Sequence, residues 1–345
     1  MIPTEDLIWP GERARAWFAG HTLTAEHLPS AADLAVRRAS EGVNVSVALP
    51  ALNEGATIGA ICAEIRSALM DGAGLVDELV VLDGGSSDDT ARVARNAGAR
   101  VVSIREVLRD IPVIAGKGES LWRSLAVLRG DIVVWIDADI KNFHADFVSR
   151  LVAPLLMNPD LAFVKGYYRR PIEQDGILMP DGGGRVTELA ARPLLNAMFP
   201  ELSGFIQPLA GEYAGRREIL SEVPFFTGYS VEVGLLIDLL QLVGLDALAQ
   251  VDLGERVHRN RRLDELSPMA YAIARSIMKR AVERGRMESG MSFEGAPFLV
   301  PSLDGELVAR QIDEPERPPM RLLPTYLDLL RGKNDAAVEE AEEVS

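Results

Sequence analysis

Two aspartates, Asp137 and Asp139, directly follow an apolar run that reads Ile-Val-Val-Trp-Ile. Alternate side chains of an extended chain point to the same side, so the two carboxylates are expected to face one way. Carboxylate oxygens suit Mg²⁺ or Mn²⁺, and phosphate oxygens and water complete the coordination. Two solvated turn residues would give the same pattern, so its meaning depends on the elements that position it.

The chain around this pair alternates apolar strands with helices. Strands are predicted at 45–49, 78–82, 100–104 and 131–136, and helices at 55–69, from a cap at Ser87 or Asp88 to 97, and from the loop at Lys117 to 128. This alternation predicts an α/β fold in which a mostly parallel sheet is covered by helices on both faces.

Ligands of such sheets bind outside the carboxyl ends of the strands. Three loops lie at those ends and are expected to line one crevice: residues 50–54 (Pro-Ala-Leu-Asn-Glu), 83–85 (Asp-Gly-Gly) and 137–139 (Asp-Ala-Asp). A dinucleotide-binding fold would instead require Gly-x-Gly-x-x-Gly after the first strand.

The second half of the chain is less regular and ends in an acidic tail. Strands are predicted at 161–167, 212–215 and 247–253, and helices at 188–198, 231–242 and 268–284. The residues after 332 are rich in Asp, Glu and Ala, which is typical of a solvated, disordered segment.

The overall charge limits the partners that the chain is expected to bind. A formal net charge of −15 disfavours nucleic acid and anionic membranes. The apolar runs fall short of the roughly 20 residues of a spanning helix, and no signal peptide is predicted, so a cytoplasmic protein is expected. Arginines cluster at 169–170, 185 and 256–262, a distribution that suggests a small anionic ligand.

The three loop motifs, taken in order and spacing, resemble the nucleotide-binding half of GT-A glycosyltransferases. They are VALPALNE at 47–54, LDGGSSDDT at 82–90 and DAD at 137–139. Further strings narrow the resemblance: Ala-Gly-Lys-Gly-Glu at 115–119, Leu-Trp-Arg-Ser-Leu at 121–125, Val-Lys at 164–165, Tyr-Arg-Arg-Pro at 168–171, GGGRVTE at 182–188, Gln-Pro-Leu at 207–209, Gly-Glu-Tyr at 211–213, Gly-Tyr at 228–229 with Glu232, and His-Arg-Asn-Arg at 258–261. From about 45 to 260 the sequence resembles the glucosyl- and mannosyl-3-phosphoglycerate synthases.

The resemblance implies a GT-A (Rossmann-like) fold with a smaller mixed α/β acceptor-binding part. The implied segments are an N-terminal extension (1–42), a nucleotide-sugar-binding half (43–160), an acceptor-binding and metal-completing half (161–290), a C-terminal segment (291–331) and the acidic tail (332–345). It also implies a homodimer.

The resemblance implies roles for individual residues as well. Nucleotide-sugar contacts are implied for Pro50, Ala51, Leu52, Glu54, Asp83, Gly84, Lys117, Asp137, Ala138, Tyr229, Glu232, Arg256 and Arg261. Acceptor contacts are implied for Arg169, Gly184, Arg185, Val186, Thr187 and Asn260, metal ligation for Asp139 and His258, and catalytic roles for Asp139, Lys117, Glu232 and Arg185.

Local chemistry agrees with two of these assignments. Glycines on both sides of Lys117 would let the backbone approach a ligand closely. Residues 184–187 open a helix whose free N–H groups would bind an anion, although Thr187 would also serve as a plain N-cap.

The implied reaction moves a hexose from a nucleoside diphosphate to the 2-hydroxyl of 3-phosphoglycerate with retention of configuration. No enzymic nucleophile is identified, which fits a front-face mechanism; nucleophilic catalysis by Glu232 is the alternative. A polyprenyl-phosphate glycosyltransferase, a nucleotidyltransferase and a non-catalytic sugar-nucleotide sensor are the rival functions.

The donor is left open by two departures from the mycobacterial glucosyl members, which typically carry serine at both positions. Here these positions are Gly84 and Ala138. Gly84 would leave more room beside the base, so GDP-mannose and GDP-glucose stay open beside UDP-glucose, the preferred donor.

Overall fold

A computed structural model of the chain describes residues 10–170, 172–174, 177–179, 184–257, 263–288, 297–301 and 307–331. In these residues the helices are α1 (Pro10–His21), α2 (Ala31–Glu41), α3 (Ile58–Glu64), α4 (Thr90–Asn96), α5 (Lys117–Val127), α6 (Asp146–Met157), α7 (Arg192–Met198), α8 (Arg217–Leu220), α9 (Val231–Val243) and α10 (Leu263–Glu283). The π-helical segment Ile65–Gly72 continues α3, and another, Thr187–Ala191, precedes α7.

The strands of the described residues are β1 (Thr22–Leu23), β2 (Val45–Ala51), β3 (Glu78–Asp83), β4 (Arg100–Ser103), β5 (Ile132–Trp135), β6 (Phe163–Arg169), β7 (Ile172–Gln174), β8 (Ile177–Met179), β9 (Tyr213–Arg216), β10 (Phe225–Phe226), β11 (Leu248–Glu255), β12 (Phe298–Pro301), β13 (Leu307–Arg310) and β14 (Glu316–Arg317).

Eight strands form one sheet in the order β1-β11-β6-β9-β5-β2-β3-β4. All neighbouring pairs are parallel except those of β9, which runs antiparallel between β5 and β6. The predicted α/β fold with a mostly parallel sheet is therefore confirmed, and the strand predicted at 212–215 is the one that reverses direction.

The sheet is apolar on both faces because helices cover both. Val47 and Leu49 face a core layer built with α3 and α6, whereas Ala48 and Trp135 face a second layer built with α5 and α9. Such two-sided burial explains why β5 is a continuous apolar run and why β2 is apolar at every position except Ser46.

The segment before residue 43 contains structure that its mixed composition did not predict. Helix α1 buries Trp17, whose indole Nε1 donates to the carbonyl of Leu248 at 2.8 Å. Strand β1 then pairs with β11 and becomes the edge of the main sheet. From residue 10 onward, this part of the N-terminal extension belongs to the same packed unit.

Two helices also differ from the sequence-based expectation. Helix α6 was not predicted, since Pro154 interrupts its apolar run, yet the run is buried against the sheet. Helix α10 begins at Leu263, ahead of the predicted start at 268, and includes Pro268 near its beginning. In both cases packing outweighs the local penalty of proline.

Among the helices in the described part of the chain, none is long and apolar enough to cross a membrane.

Candidate active site

The three predicted loops meet at the carboxyl ends of the strands. The first two are tied together because Ser86 Oγ accepts from the Asn53 amide (3.0 Å) and Thr90 Oγ1 accepts from the Glu54 amide (2.8 Å). The third is tied to the first loop's helix through Thr57, whose Oγ1 donates to the Ala138 carbonyl at 2.6 Å. The three predicted loops therefore lie together at this edge of the sheet, and the crevice that they are expected to line remains a prediction.

Asp137 and Asp139 converge on one arginine at the end of β11. Arg256 Nη2 lies 3.0 Å from Asp137 Oδ2 and 2.6 Å from Asp139 Oδ1, so both carboxylates face the same side as predicted. Arg256 is buried, whereas the side chain of Asp139 remains 43% exposed. An incoming group can therefore reach the Asp139 carboxylate from the crevice.

Lys117 joins this network from the first turn of α5. Its Nζ lies 2.5 Å from Asp137 Oδ1 and 2.8 Å from Glu232 Oε1 on α9. Burial lowers the pKa of Lys117, but Asp137 and Glu232 outweigh it, so the pKa lies well above its ordinary value. The lysine is thus a permanent cation in the crevice.

Asp137 is held between two cations. Burial raises the pKa of Asp137, but Lys117 and Arg256 reverse this and bring the pKa below the usual carboxyl range. Gly211 packs directly against this carboxylate, since a Cβ added at Gly211 would lie 2.1 Å from Asp137 Oδ2. Both oxygens of Asp137 are therefore used within the protein, which distinguishes it from the more exposed Asp139.

The glycines that flank Lys117 are packed tightly against the backbone of a neighbouring segment. A Cβ at Gly116 would lie 2.1 Å from the Thr227 carbonyl oxygen, and one at Gly118 would lie 1.9 Å from that of Phe226. Both glycines therefore allow a close approach to the backbone at β10, which fixes the start of α5 and hence Lys117; the expected approach to a ligand remains a prediction.

Two buried ionisable residues complete the network, although the sequence pattern predicted no role for either of them. Glu212 is buried, and its Oε1 lies 2.9 Å from Arg256 Nη1; burial raises the pKa of Glu212 despite this pairing. Lys165 is also buried, with Nζ 2.7 Å from the Ala210 carbonyl and above the Tyr213 ring. The available signal was their charge inside strand-like segments, at 163–169 and next to Gly211.

Lys165 is expected to make stability depend on pH. Burial lowers its pKa from 10.5 to about 7. Between these values the unfolded chain holds a proton that the folded chain has released, so the unfolding free energy is expected to rise with pH from 7 toward 10. Below pH 7 Lys165 is protonated in the folded chain as well, so its buried charge destabilises the fold to the full extent.

Urea unfolding at pH 7, 8 and 9 would test this for wild type and Lys165→Met. The variant is expected to lose the part of the rise that Lys165 causes, whereas Lys141→Met, at an exposed lysine, should keep it. An equal slope in wild type and Lys165→Met would contradict the assignment.

At the expected base-binding end, the loops are ordered around Asp83. Its Oδ1 accepts from the Ser86 amide at 3.0 Å, and the Gly84 amide donates to the Ala51 carbonyl at 2.9 Å. Leu52 is 57% exposed at this rim. A Cβ at Gly84 would sit 3.4 Å from the Ala51 carbonyl oxygen, so the site would accept a small side chain there.

The acceptor residues are described only in part. Gly184 adopts a positive φ of 80°, and the Glu188 amide donates to its carbonyl at 3.0 Å. Val186 is already helical, so Thr187 lies inside the helical segment and its predicted role as N-cap is wrong. Arg185 is exposed, and Arg169 is exposed at the end of β6. His258, Asn260 and Arg261 lie outside the described residues.

A sheet of this topology, with acidic and basic side chains gathered at the carboxyl ends of its strands, defines a GT-A glycosyltransferase. The model of the family described as glycosyl transferase family 2 matches residues 46–222. The chain belongs to this family and, within it, to the glucosyl- and mannosyl-3-phosphoglycerate synthases, as the following relatives establish.

The glucosyl-3-phosphoglycerate synthase of Mycobacterium tuberculosis is 48% identical over 306 residues, which cover 87% of this chain and 92% of the relative. That of Petrotoga mobilis is 44% identical over 296 residues, covering 85% and 91%.

Two solved structures show the same architecture. The mannosyl-3-phosphoglycerate synthase from Rubrobacter xylanophilus has a TM-score of 0.81 at 41% identity, covering 90% of this chain and 98% of that one. The M. tuberculosis enzyme in complex with Mn²⁺, UDP-glucose and phosphoglyceric acid has a TM-score of 0.75 at 45% identity, covering 87% and 98%.

Proposed function

We propose that this enzyme transfers glucose from UDP-glucose to the 2-hydroxyl of 3-phosphoglycerate, with retention of configuration. The observation that carries the proposal is the ion network in which Lys117, Asp137, Arg256 and Asp139 meet at the strand ends. It places two permanent cations beside a reachable carboxylate, the combination that a departing nucleoside diphosphate requires. The named activities of the relatives supply the substrates.

Lys117 and Arg256 would bind and stabilise the diphosphate as the bond to the sugar breaks. Their positions are set before substrate arrives, because Asp137 contacts both. Charged groups fixed in this way stabilise developing charge without reorganising during the reaction. The leaving phosphate oxygen would then take the proton of the acceptor hydroxyl on the same face of the sugar.

Glu232 is better suited to holding the sugar than to attacking it. Its Oε1 is paired with Lys117 at 2.8 Å, and a nucleophilic role would require that pair to break. Its carboxylate and the half-exposed Tyr229 would instead contact the sugar hydroxyls. This supports front-face transfer over a covalent intermediate.

A divalent metal fits the donor set at Asp139. This carboxylate is substantially exposed and gives one oxygen to Arg256. Among the described residues no group of three or more His, Cys, Asp or Glu could hold a metal, so the other ligands would be His258 and the donor's phosphates. When bound, Mg²⁺ or Mn²⁺ would neutralise charge on the diphosphate as a Lewis acid.

The acceptor would bind where Gly184, Arg185, Val186 and Thr187 begin a helix. Free N–H groups at this end favour a phosphate or carboxylate, and an arginine fork binds either anion through two hydrogen bonds. Arg169 and Asn260 would complete the pocket.

Arg185→Ala is expected to raise the KM for 3-phosphoglycerate by roughly tenfold or more, since it removes a charge-assisted contact worth about 1.5–3 kcal/mol. The KM for UDP-glucose should change little. Steady-state kinetics with each substrate varied in turn would measure both. The matched control is Arg192→Ala. Arg192 pairs with Glu188, which lies one helical turn before it. Equal changes in both KM values would place Arg185 outside the acceptor pocket.

Donor choice is tested by a panel of UDP-glucose, GDP-glucose and GDP-mannose with 3-phosphoglycerate and Mg²⁺ or Mn²⁺. UDP release that depends on 3-phosphoglycerate supports the proposal, and Gly84→Ser should leave UDP-glucose use intact because a Cβ fits there. Preferred use of GDP-mannose would identify the mannosyl activity. Pyrophosphate release would indicate a nucleotidyltransferase, and transfer only to a polyprenyl phosphate would indicate that class instead.

A further inference from the structure

Glu314 lies in the C-terminal segment, for which the sequence predicted no role, yet its carboxylate reaches the loop before α9. Its Oε1 accepts from the Tyr229 amide at 2.9 Å and its Oε2 from the Ser230 amide at 3.3 Å. The Gly228 amide also donates to this carboxylate. Successive backbone N–H groups of this kind form a concave site for an anion.

The fit at this loop is tight. A Cβ at Gly228 would lie 2.5 Å from Glu314 Oε1, so the glycine permits the carboxylate to approach the backbone. The side chain of Ser230, the residue before α9, makes no capping hydrogen bond, and its hydroxyl has no partner within the described residues. The carboxylate of Glu314 therefore satisfies amides that local side chains leave open.

Glu314 is held in place by the residues that follow it. The Pro315 carbonyl accepts from both the amide and the hydroxyl of Thr227, each at 3.0 Å. Strand β14 then pairs with β10. Arg317 donates to both oxygens of Glu119 on α5, at 2.7 and 2.8 Å. The same short segment thus contacts the loop before α9 and the helix that carries Lys117.

One residue of this loop and one residue just after it face the donor sugar in the proposed function. Tyr229 is half-exposed, and Glu232 lies in the first turn of α9 and is paired with Lys117. The Glu232 carboxylate is close enough to raise the pKa of Glu314, in addition to the larger effect of burial. Moving the Glu314 carboxylate would therefore change both the backbone and the charge around the sugar-binding residues.

We propose that Glu314 is a positioning residue for the donor sugar: its carboxylate binds the amides of residues 228–230 and so sets where Tyr229 and Glu232 lie relative to Lys117. This rests on the proposed function, because that function places the sugar beside Glu232. The residue acts through the loop and does not touch the reacting atoms.

The test compares Glu314→Gln with Glu316→Gln. Glutamine removes the charge and one of the acceptor oxygens of residue 314. The donor KM is expected to rise about tenfold, in line with the loss of a charge-assisted hydrogen bond, while the KM for 3-phosphoglycerate stays within about twofold. Glu316 lies in the same segment but pairs with Lys279 and Arg280 on α10. Glu316→Gln should lower stability without changing the donor KM.

Amide hydrogen exchange and calorimetric titration with UDP-glucose supply readouts that do not require turnover. Glu314→Gln should speed exchange at residues 228–230 and weaken UDP-glucose binding; Glu316→Gln should do neither. Equal shifts in both substrate KM values, an unchanged donor KM, or the same donor effect in both variants would overturn the role of Glu314. Lack of any transfer by wild type would refute the proposed function, and exchange at 228–230 would still decide whether Glu314 orders the loop.

Discussion

Asp139→Asn is expected to lower kcat by about a hundredfold to a thousandfold, the cost typical of removing one fixed group that stabilises transition-state charge. Asparagine keeps an oxygen where Asp139 Oδ1 now accepts from Arg256 at 2.6 Å, so the fold should be little affected. It loses the negative charge that a divalent cation needs. The dependence of the residual rate on Mn²⁺ concentration should therefore shift to higher concentrations.

The matched control for this variant is Asp71→Asn. Asp71 is also paired with an arginine, Arg66 at 3.3 Å, but it is 63% exposed on the helical segment after α3, at the opposite end of the strands from Asp139. Initial rates across a Mn²⁺ titration should be like wild type for the control. A wild-type rate and wild-type metal dependence in Asp139→Asn would remove Asp139 from the metal site.

Arg256→Met is expected to lower the unfolding free energy by about 3–5 kcal/mol, the usual cost of leaving buried charges unpaired. Arg256 is buried and contacts Glu212, Asp137 and Asp139. Of these, Glu212 is fully buried, and among the described residues Arg256 is the only cation within 4 Å of its carboxylate. Urea unfolding of wild type and variant would measure the difference.

Two comparisons separate the pairing of Arg256 from its size. Arg66→Met removes an exposed ion pair and should cost less than about 1 kcal/mol. Adding Glu212→Gln to Arg256→Met should recover part of the lost stability, because the carboxylate that loses its partner becomes a neutral amide. The contradicting result is a Glu212→Gln change that lowers the unfolding free energy of Arg256→Met by as much as it lowers that of wild type. The two residues would then not be coupled as the geometry requires.

The crevice could be predicted from the sequence because it depends on local rules. The strands around Asp137 are mostly apolar, and parallel strands bring their carboxyl-end loops to one edge. The convergence of Asp137 and Asp139 also follows from the two-residue repeat of an extended chain. Each of these inferences needs only neighbouring residues and the order of elements.

The environment of the crevice depends on contacts between distant parts of the chain, which local patterns do not reveal. Gly118 is required by the carbonyl of Phe226, and Glu314 satisfies amides more than eighty residues earlier. Lys165 appeared only as part of a family string, although the fold buries it within the ion network. The antiparallel direction of β9 likewise depends on which strands it lies between.

Retaining transfer of glucose to 3-phosphoglycerate can be tested by NMR of the product formed from UDP-glucose labelled with ¹³C at the anomeric carbon, with 3-phosphoglycerate and Mn²⁺. The predicted result is a new α-anomeric ¹³C signal that correlates across the glycosidic oxygen with the proton on carbon 2 of the glycerate, formed together with UDP. Free labelled glucose that forms at the same rate without 3-phosphoglycerate, or a β-anomeric product, would contradict retaining transfer to this acceptor.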